Sequence, residues 1–577
     1  MGKATIKRKF WISWKEKAIP KFSSPKRERI LKWLSIAIFY ILLVGIMTPG
    51  IGRGRAWKVG DIPGGNIKAP YDFSVFGKEG KEEKRLKKGE IILQEGIAVT
   101  GEDIRILNAL HTSSPLRRKL AYLGGISLLT LIFFFIVGIY LYKYQSIVLT
   151  NLRILLLLGL IVIGVIFIAR VIIGYGLSGY LIPVAIAPML IAILVEPRLA
   201  VVVAVVLSIF IGVLTGYRLD YMVVALVGGM VGLFSVAKAR KRSDLIKAGF
   251  LVSLVNVVAI IGFLLLEPLA RGQIAGVLAS GAGNGIISAV VALGMLPIFE
   301  PLFKITTDIK LLELLDVNQP ILERVKNEAP GTYQSSLAVA NLAESAAQAI
   351  GANALLAKVG SYYHDIGKVN KASYFIENQQ LAKDKHEKLN PTMSSLILIS
   401  HVKEGAESAR KNGLPEIIID IVRQHHGTTL ASFFYQQAVE ESERQTVSKD
   451  TFRYPGPKPQ TREAAIVMLA DSVEAASRTL SDPTPGRIKN LVKRVVNNKF
   501  TDYQLDESNL TLRGLHEISE VFTRLLISMF HTRVEYPEAE PRDGRKESGK
   551  DKKLTKRGKG RAKKNQTGRG RNAEKRK

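Results

Sequence analysis

The chain of 577 residues contains no cysteine. Disulfides, thiolate metal sites and a cysteine nucleophile are therefore excluded within it, and any metal must be held by imidazole and carboxylate. Histidine is scarce as well, with eight in the whole chain. Acidic residues number 50 against 81 Lys and Arg, a formal charge of +31. Much of that excess lies in the first 32 residues and after Pro541, so it does not mark the central part as a nucleic-acid binder. Charge is almost missing from the apolar runs inside Leu120–Phe303. Charges within a membrane mark ion and substrate paths, so their scarcity argues against a transporter.

Apolar residues crowd into Ile30–Met47 and Leu120–Phe303, and runs of that length are read as membrane spans. The fold class expected is all-α: a helical membrane protein with one N-terminal span, a seven-span block and a helical soluble domain. Residues 1–29 form a basic N-terminus and 30–48 an anchor helix. A cleaved signal peptide is the alternative, but Thr48-Pro-Gly-Ile is a poor cleavage site. Residues 49–119 make a short outer domain, with strands within Ile91–Thr100 and a helix over Gly101–His111. Residues 120–302 carry spans near 120–142, 152–172, 180–196, 199–217, 221–237, 249–267 and 276–299. The basic loop Lys238-Ala-Arg-Lys-Arg242 belongs on the cytoplasmic side, which places both the N-terminus and everything after Phe303 there. The cluster Arg117-Arg-Lys119 falls on the outer side and disagrees. Residues 303–316 are an amphipathic connector whose Leu311, Leu312, Leu314 and Leu315 face either a membrane surface or partner helix, or a core. Residues 317–540 read as a helical cytoplasmic domain, and 541–577 as a disordered basic tail. That tail is either simply solvated or drawn to anionic lipid or RNA.

Five of the eight histidines fall between His364 and His426. The candidate ligands are His364, Asp365, His401, His425, His426 and Asp471, which a helical bundle can point inward together. Each has an ordinary reading too: His401 as a satisfied surface histidine, His425-His426 as the end of a helix, Asp471 as a capping carboxylate. A binuclear site explains them jointly, with Asp365 giving one oxygen to each ion and imidazoles at the terminal positions. Two ions about 3.5–4 Å apart clamp a phosphodiester and acidify a water for in-line attack. Lys368, a turn beyond Asp365, offsets phosphate charge.

Ala329-Pro-Gly-Thr-Tyr333, Val339-Ala-Asn-Leu-Ala-Glu344, His364-Asp-Ile-Gly-Lys368, Tyr374-Phe-Ile-Glu-Asn-Gln379, His401-Val-Lys-Glu-Gly405, His425-His-Gly-Thr-Thr429, Tyr454-Pro-Gly-Pro-Lys-Pro459 and Ala470-Asp-Ser-Val-Glu-Ala-Ala-Ser-Arg478 resemble the seven-transmembrane HD-domain family. These are bacterial membrane phosphodiesterases that hydrolyse cyclic di-AMP to pApA. The resemblance covers the whole layout and implies a multi-pass protein of the bacterial cytoplasmic (inner) membrane with its HD domain in the cytoplasm. It implies two divalent transition ions, Mn or Fe, and as partners cyclic di-AMP, membrane lipids and a second copy in a homodimer. Asp365 and Lys368 are the implied catalytic residues. The rival cyclic di-GMP phosphodiesterases carry a Gly-Tyr-Pro signature that is absent here.

Two departures stand out. The outer segment is shorter than the family's usual one, which puts a sensory role in doubt. The family's first metal histidine falls in a Gly-Thr-Tyr-x-His-Ser pattern, and Ser335 occupies its place in Gly331-Thr-Tyr-Gln-Ser-Ser336. By that pattern Ser335 would join His364, Asp365 and Asp471 on one ion, while Asp365, His401, His425 and His426 hold the other. A hydroxyl is a poor ligand for a divalent transition ion, so the first site is weakened. A slower enzyme, an enzyme loading its first metal only at high concentration, and a receptor that binds a cyclic dinucleotide without cleaving it all remain open. For substrate, Thr428 and Thr429 can meet phosphate and Tyr435 can stack on adenine, the alternative being core packing.

Overall fold

The computed structural model describes residues 25–530 apart from 49–57, 64–65, 70–71, 77–81, 95, 113–115, 268–270, 380–384 and 443–446. The expected basic tail, the residues before Pro25 and the side chains of Arg117-Arg-Lys119 lie outside the described residues.

Helix α1 (Pro25–Met47) leads to a small domain of two antiparallel pairs. Strand β1 (Ile67–Lys68) pairs with β4 (Ile91–Leu93), and β2 (Phe73–Phe76) with β3 (Glu82–Leu86). Helix α2 (Gly101–Thr112) is capped by Thr100 and Asp103, each accepting from the other's backbone N–H at 3.2 and 2.9 Å. Phe73, Val75, Leu86, Ile92, Leu93, Ile106 and Leu107 form its small core.

The apolar block comprises α3 (Leu116–Tyr144), α4 (Ser146–Thr150), α5 (Leu152–Gly174), α6 (Ile186–Leu194), α7 (Pro197–Leu214), α8 (Leu219–Val236), α9 (Arg242–Leu266) and α10 (Arg271–Phe303). Among the described residues seven helices, α1 included, are long and apolar enough to cross a membrane. Their outward faces carry Leu128, Leu131, Phe135, Phe250, Leu254 and Leu265, all exposed, as a lipid-facing surface requires.

The expected continuous span over 180–196 is instead a broken one. A 3-10 turn at Gly179–Leu181 and the nine-residue α6 flank an irregular stretch around Pro183. Nine helical residues rise only about 14 Å against a hydrocarbon core of about 30 Å. The Asn284 side chain on α10 donates to the carbonyls of Tyr180 (2.9 Å) and Ile182 (2.6 Å), satisfying backbone that the break leaves without helical partners. The segment nevertheless runs from one end of the bundle to the other. At one end Tyr180 donates to Asp220 (2.7 Å) beside the start of α8. At the other, Gln145 after α3 bonds Glu196 before α7, and Lys32 of α1 reaches the Thr150 carbonyl. That second end also holds the start of α9, where Arg242 pairs with Glu313 (2.6 Å) in α11 (Asp308–Leu314).

Helix α11 begins at Thr307, whose hydroxyl accepts from the Lys310 N–H (3.2 Å). It is core-facing rather than laid on a surface. Ile309 packs into the membrane-block core, while Leu311 and Leu314 pack into the soluble one, with Leu315 partly buried beside them. The soluble part follows as α12 (Pro320–Glu328), α13 (Pro330–Ala349), α14 (Ala354–Tyr363), α15 (Pro391–Lys411), α16 (Glu416–Gln424), α17 (Ser432–Glu441), α18 (Arg462–Ser477), α19 (Pro485–Thr501) and α20 (Leu512–Phe530). Helix α18 is apolar around most of its circumference, and Ala464 to Ala470 are all buried. That pattern makes it the central helix, packed by α13, α14, α16, α19 and α20.

Tyr363, fully buried at the end of α14, donates its hydroxyl to the Leu314 carbonyl (2.7 Å) at the end of α11. Tyr363→Phe leaves that carbonyl buried and unpaired. It should destabilise the soluble part by about 1–2 kcal/mol, read as a lower urea midpoint by circular dichroism.

Candidate metal centre

Asn353 caps α14 by accepting from the Leu356 N–H (3.0 Å), and the helix delivers His364 and Asp365 at its far end. The chain then tightens into 3-10 turns over Ile366–Tyr374. A Cβ on Gly367 would stand 1.9 Å from the His401 carbonyl oxygen and 2.5 Å from the Gly405 nitrogen. Only a bare glycine lets this segment lie against α15, which brings Asp365 to His401. His425 and His426 follow the last turn of α16, and the chain turns away at Gly427 with φ +54°. Asp471 projects from α18.

Three imidazoles share one arrangement. Nδ1 of His364 faces the Ser361 carbonyl at 2.7 Å, Nδ1 of His401 the Leu398 carbonyl at 2.5 Å, and Nδ1 of His425 the Val422 carbonyl at 2.7 Å. A carbonyl only accepts, so each Nδ1 carries a proton and each Nε2 is the ring atom left to face the centre. His401 Nε2 and His425 Nε2 then face each other at 3.2 Å. Asp365 Oδ1 lies 3.2 and 3.5 Å from the same two nitrogens. His364 Nε2 lies 3.1 Å from Asp365 Oδ2 and 3.5 Å from Asp471 Oδ1. His364 Nε2 and Asp365 Oδ1 are buried without a hydrogen bond. Lone pairs gathered this closely out of water repel one another unless a cation or proton sits among them. Backbone-locked Nδ1 atoms are also how metal-ligating histidines are oriented.

The candidate ligands fall into two groups, Asp365 with His401, His425 and His426, and His364 with Asp365 and Asp471. The ligand atoms within each lie inside 4.8 Å of one another. Asp365 belongs to both. This donor set fits divalent ions.

Lys368 offsets the negative charge. Its ammonium lies 2.7 Å from Asp365 Oδ2 and 2.9 Å from Glu377 Oε1, which also accepts from the Thr332 hydroxyl at 3.0 Å. Burial works against charge on Lys368, but Asp365 and Glu377 outweigh it and keep it protonated. Burial likewise opposes ionisation of Asp365, yet His364 and Lys368 hold its carboxyl well below the usual range. For Asp471 the opposing burial is overcome chiefly by His364, and its carboxyl is also held low. Burial disfavours charge on His364 too, while Asp365 and Asp471 hold it up to about 10. His425 and His426 are pushed down, foremost by burial.

Ser335, buried on α13, donates to Glu474 Oε2 at 2.8 Å, and Arg478 pairs with the other oxygen of the same carboxylate. Glu474 follows Asp471 by one turn on α18. Thr428 is tied to Gln504, which accepts its N–H at 2.9 Å and donates to its hydroxyl at 3.0 Å. Thr429 Oγ1 accepts from Lys499 Nζ at 3.0 Å. Tyr435 packs edge-on to Phe452 (5.8 Å), with Lys449 over its ring. Four residues without an assigned role in the sequence reading enter the site: Glu377, Tyr454, Glu474 and Lys499. Burial pushes the Lys499 ammonium down to about 8, with Asp471 and Asp502 opposing. Three of them stood inside quoted motifs, whereas Lys499 lies in an amphipathic helix with nothing to single it out.

The fold and site define a multi-pass membrane protein that carries a helical domain with a His/Asp centre suited to divalent metal. Residues 120–307 match the family model described as "7TM receptor with intracellular HD hydrolase", and residues 332–476 match the HD domain. The chain belongs to this family. It is 35% identical over 474 residues to cyclic-di-AMP phosphodiesterase PgpH of Bacillus subtilis (strain 168), covering 79% of this chain and 66% of that protein. It is 37% identical over 364 residues to cyclic-di-AMP phosphodiesterase PgpH of Listeria monocytogenes serotype 1/2a (strain 10403S), covering 62% and 50%. The chain thus spans 66% and 50% of the length of these curated relatives. Among solved structures, the L. monocytogenes PgpH HD domain in complex with cyclic-di-AMP is 43% identical, with a TM-score of 0.36, covering 38% of this chain and all of that one.

Gly367→Ala should push the His364-Asp365 turn off α15 and lower Mn²⁺ affinity by at least about tenfold, measured by titration calorimetry on the full chain. Because His364 is held up to about 10 without a cation, a metal must displace its proton at neutral pH. Metal affinity should therefore rise with pH between roughly 6 and 9. Calorimetry in buffers of different ionisation enthalpy should show proton release on loading.

Proposed function

We propose that this chain is a membrane-bound, metal-dependent phosphodiesterase that hydrolyses cyclic di-AMP to pApA. The observation that carries the reading is the shared Asp365 carboxylate, with inward-facing Nε2 atoms of His364, His401 and His425 around it. The names of the two PgpH relatives support the substrate. Two divalent ions, Mn or Fe, would be held by His364, Asp365 and Asp471 and by Asp365, His401, His425 and His426, and would supply Lewis-acid polarisation of the phosphate and an acidified water.

The chain's own residues do the rest. Asp365 belongs to both ligand groups and would be shared between the ions. Lys368 keeps Asp365 ionised and, with donors on its ammonium to spare, offsets charge on the phosphate. Thr429, linked to Lys499, offers a hydroxyl and a nearby cation to the second phosphate. Thr428 acts chiefly by holding the turn through Gln504, and Tyr435, packed against Phe452, is read as the residue that stacks on adenine. The basic loop Lys238–Arg242 and the Arg242–Glu313 pair support placing this domain on the cytoplasmic side of a bacterial membrane.

Ser335 favours a second reading, a receptor that binds the cyclic dinucleotide with little turnover. Its hydroxyl is engaged by Glu474 and supplies no imidazole to the group of His364, Asp365 and Asp471. Full-length protein in detergent with Mn²⁺ and cyclic di-AMP separates the two. Accumulation of pApA by chromatography is the expected outcome; tight binding with no pApA at any metal concentration would establish the receptor. Ser335→His should raise affinity for the weaker ion by about tenfold or more and increase turnover at limiting Mn²⁺.

A further inference from the structure

The motif Tyr454-Pro-Gly-Pro-Lys-Pro459 plays no part in the ligand set, yet its first residue stands against it. The Tyr454 ring lies over the His426 imidazole, with centroids 4.3 Å apart at 32°, and edge-on to His401 at 6.1 Å. Its backbone N–H donates to the Thr429 carbonyl (3.0 Å), and the neighbouring Arg453 bridges to Leu430. Tyr454 is therefore pinned to the loop that follows the histidine pair. The residue is only 7% exposed, and among the described residues its hydroxyl makes no hydrogen bond. The charges that act on that hydroxyl are those of Lys368, Asp365, Asp471 and Glu377, the same groups that surround the metal ligands.

We propose that the Tyr454 hydroxyl is a catalytic hydrogen-bond donor to the substrate phosphate held at this centre. The proposal rests on the phosphodiester reading of the site. A phenol is protonated at neutral pH, so it donates to an anionic phosphate. The ring is held by its stack on His426, so the hydroxyl is fixed before the phosphate arrives. A donor fixed in advance is worth more than one that must reorganise. The Tyr454 hydroxyl makes no hydrogen bond among the described residues, unlike the Lys368 ammonium, which is shared between two carboxylates.

A ring that only braces His426 is the rival explanation, and Tyr454→Phe separates the two because it keeps the ring and removes the hydroxyl. Both forms of the full-length protein would be loaded with Mn²⁺, their metal content measured, and inorganic phosphate titrated by calorimetry. Equal metal content with phosphate affinity lowered about tenfold is expected, together with kcat on cyclic di-AMP lowered about a hundredfold. Phosphate affinity within twofold of the parent at equal metal content would overturn the proposal, as would a parent that binds no phosphate. Loss of metal from the Phe variant would also overturn it, because the hydroxyl would then serve the ligands. Hydroxyl-dependent phosphate binding in a protein that cleaves no cyclic di-AMP would leave this proposal standing and sink the proposed reaction.

Discussion

One carboxylate organises the soluble domain. Asp365 is buried, and an isolated ion there would cost several kcal/mol. It persists because Lys368 touches one oxygen and three imidazoles converge on the pair of them. The imidazoles in turn are unable to satisfy their own Nε2 atoms, since each Nδ1 is committed to a carbonyl three residues back. Neither half of this arrangement is stable alone. Acid and imidazole together make a pocket suited to positive charge, part of which Lys368 supplies.

Holding such a pocket requires backbones that approach closely and helices that do not slide. Gly367 meets the carbonyl of His401 at a distance no side chain permits, and Gly331 meets that of Glu377 in the same way. Helix α18 fixes Asp471 by being buried nearly all round, which leaves it no freedom to rotate. Helix α14 is fixed from outside the domain as well. Its last residue, Tyr363, is bonded to the end of α11, and α11 is clamped by Arg242 at the start of a membrane helix. Two bonds therefore separate the residue before His364 from the membrane block, and α11 contributes apolar residues to both cores.

The membrane block, the connector and the helical nature of the rest are legible in the sequence because they rest on periodicity and length, which neighbours do not override. The segment 180–196 shows the limit of that reasoning. Its composition suits a span, but Pro183 breaks the helix, and only Asn284, about a hundred residues away, makes the break tolerable. The six ligand candidates are visible as residue types in motifs. Their orientation is not, because it depends on which ring nitrogen each backbone carbonyl takes. Leu311, Leu312, Leu314 and Leu315 left two environments open, since an amphipathic face looks the same whether it meets lipid or protein. Lys499 was invisible for a related reason: a lysine on a solvated helix carries no mark until tertiary packing turns it toward Thr429.

Ser335 is the point where the chain departs most from the pattern it resembles, and its surroundings define what the departure means. The hydroxyl does not hang in an open space shaped for a larger ligand. It closes a chain from Ser335 through Glu474 to Arg478, in which both carboxylate oxygens are taken. Burial pushes the Glu474 carboxyl up, while Arg478 and Ser335 pull against that shift. An imidazole at position 335 would remove this bond and leave Glu474 Oε2 without its donor. The two ligand groups are thus unequal in number and in freedom: one has four donors, the other three and a neighbour already committed elsewhere. An ion in the four-donor group would draw on the shared carboxylate and weaken its pull on the second position. The asymmetry of the site is therefore larger than the loss of one ligand alone.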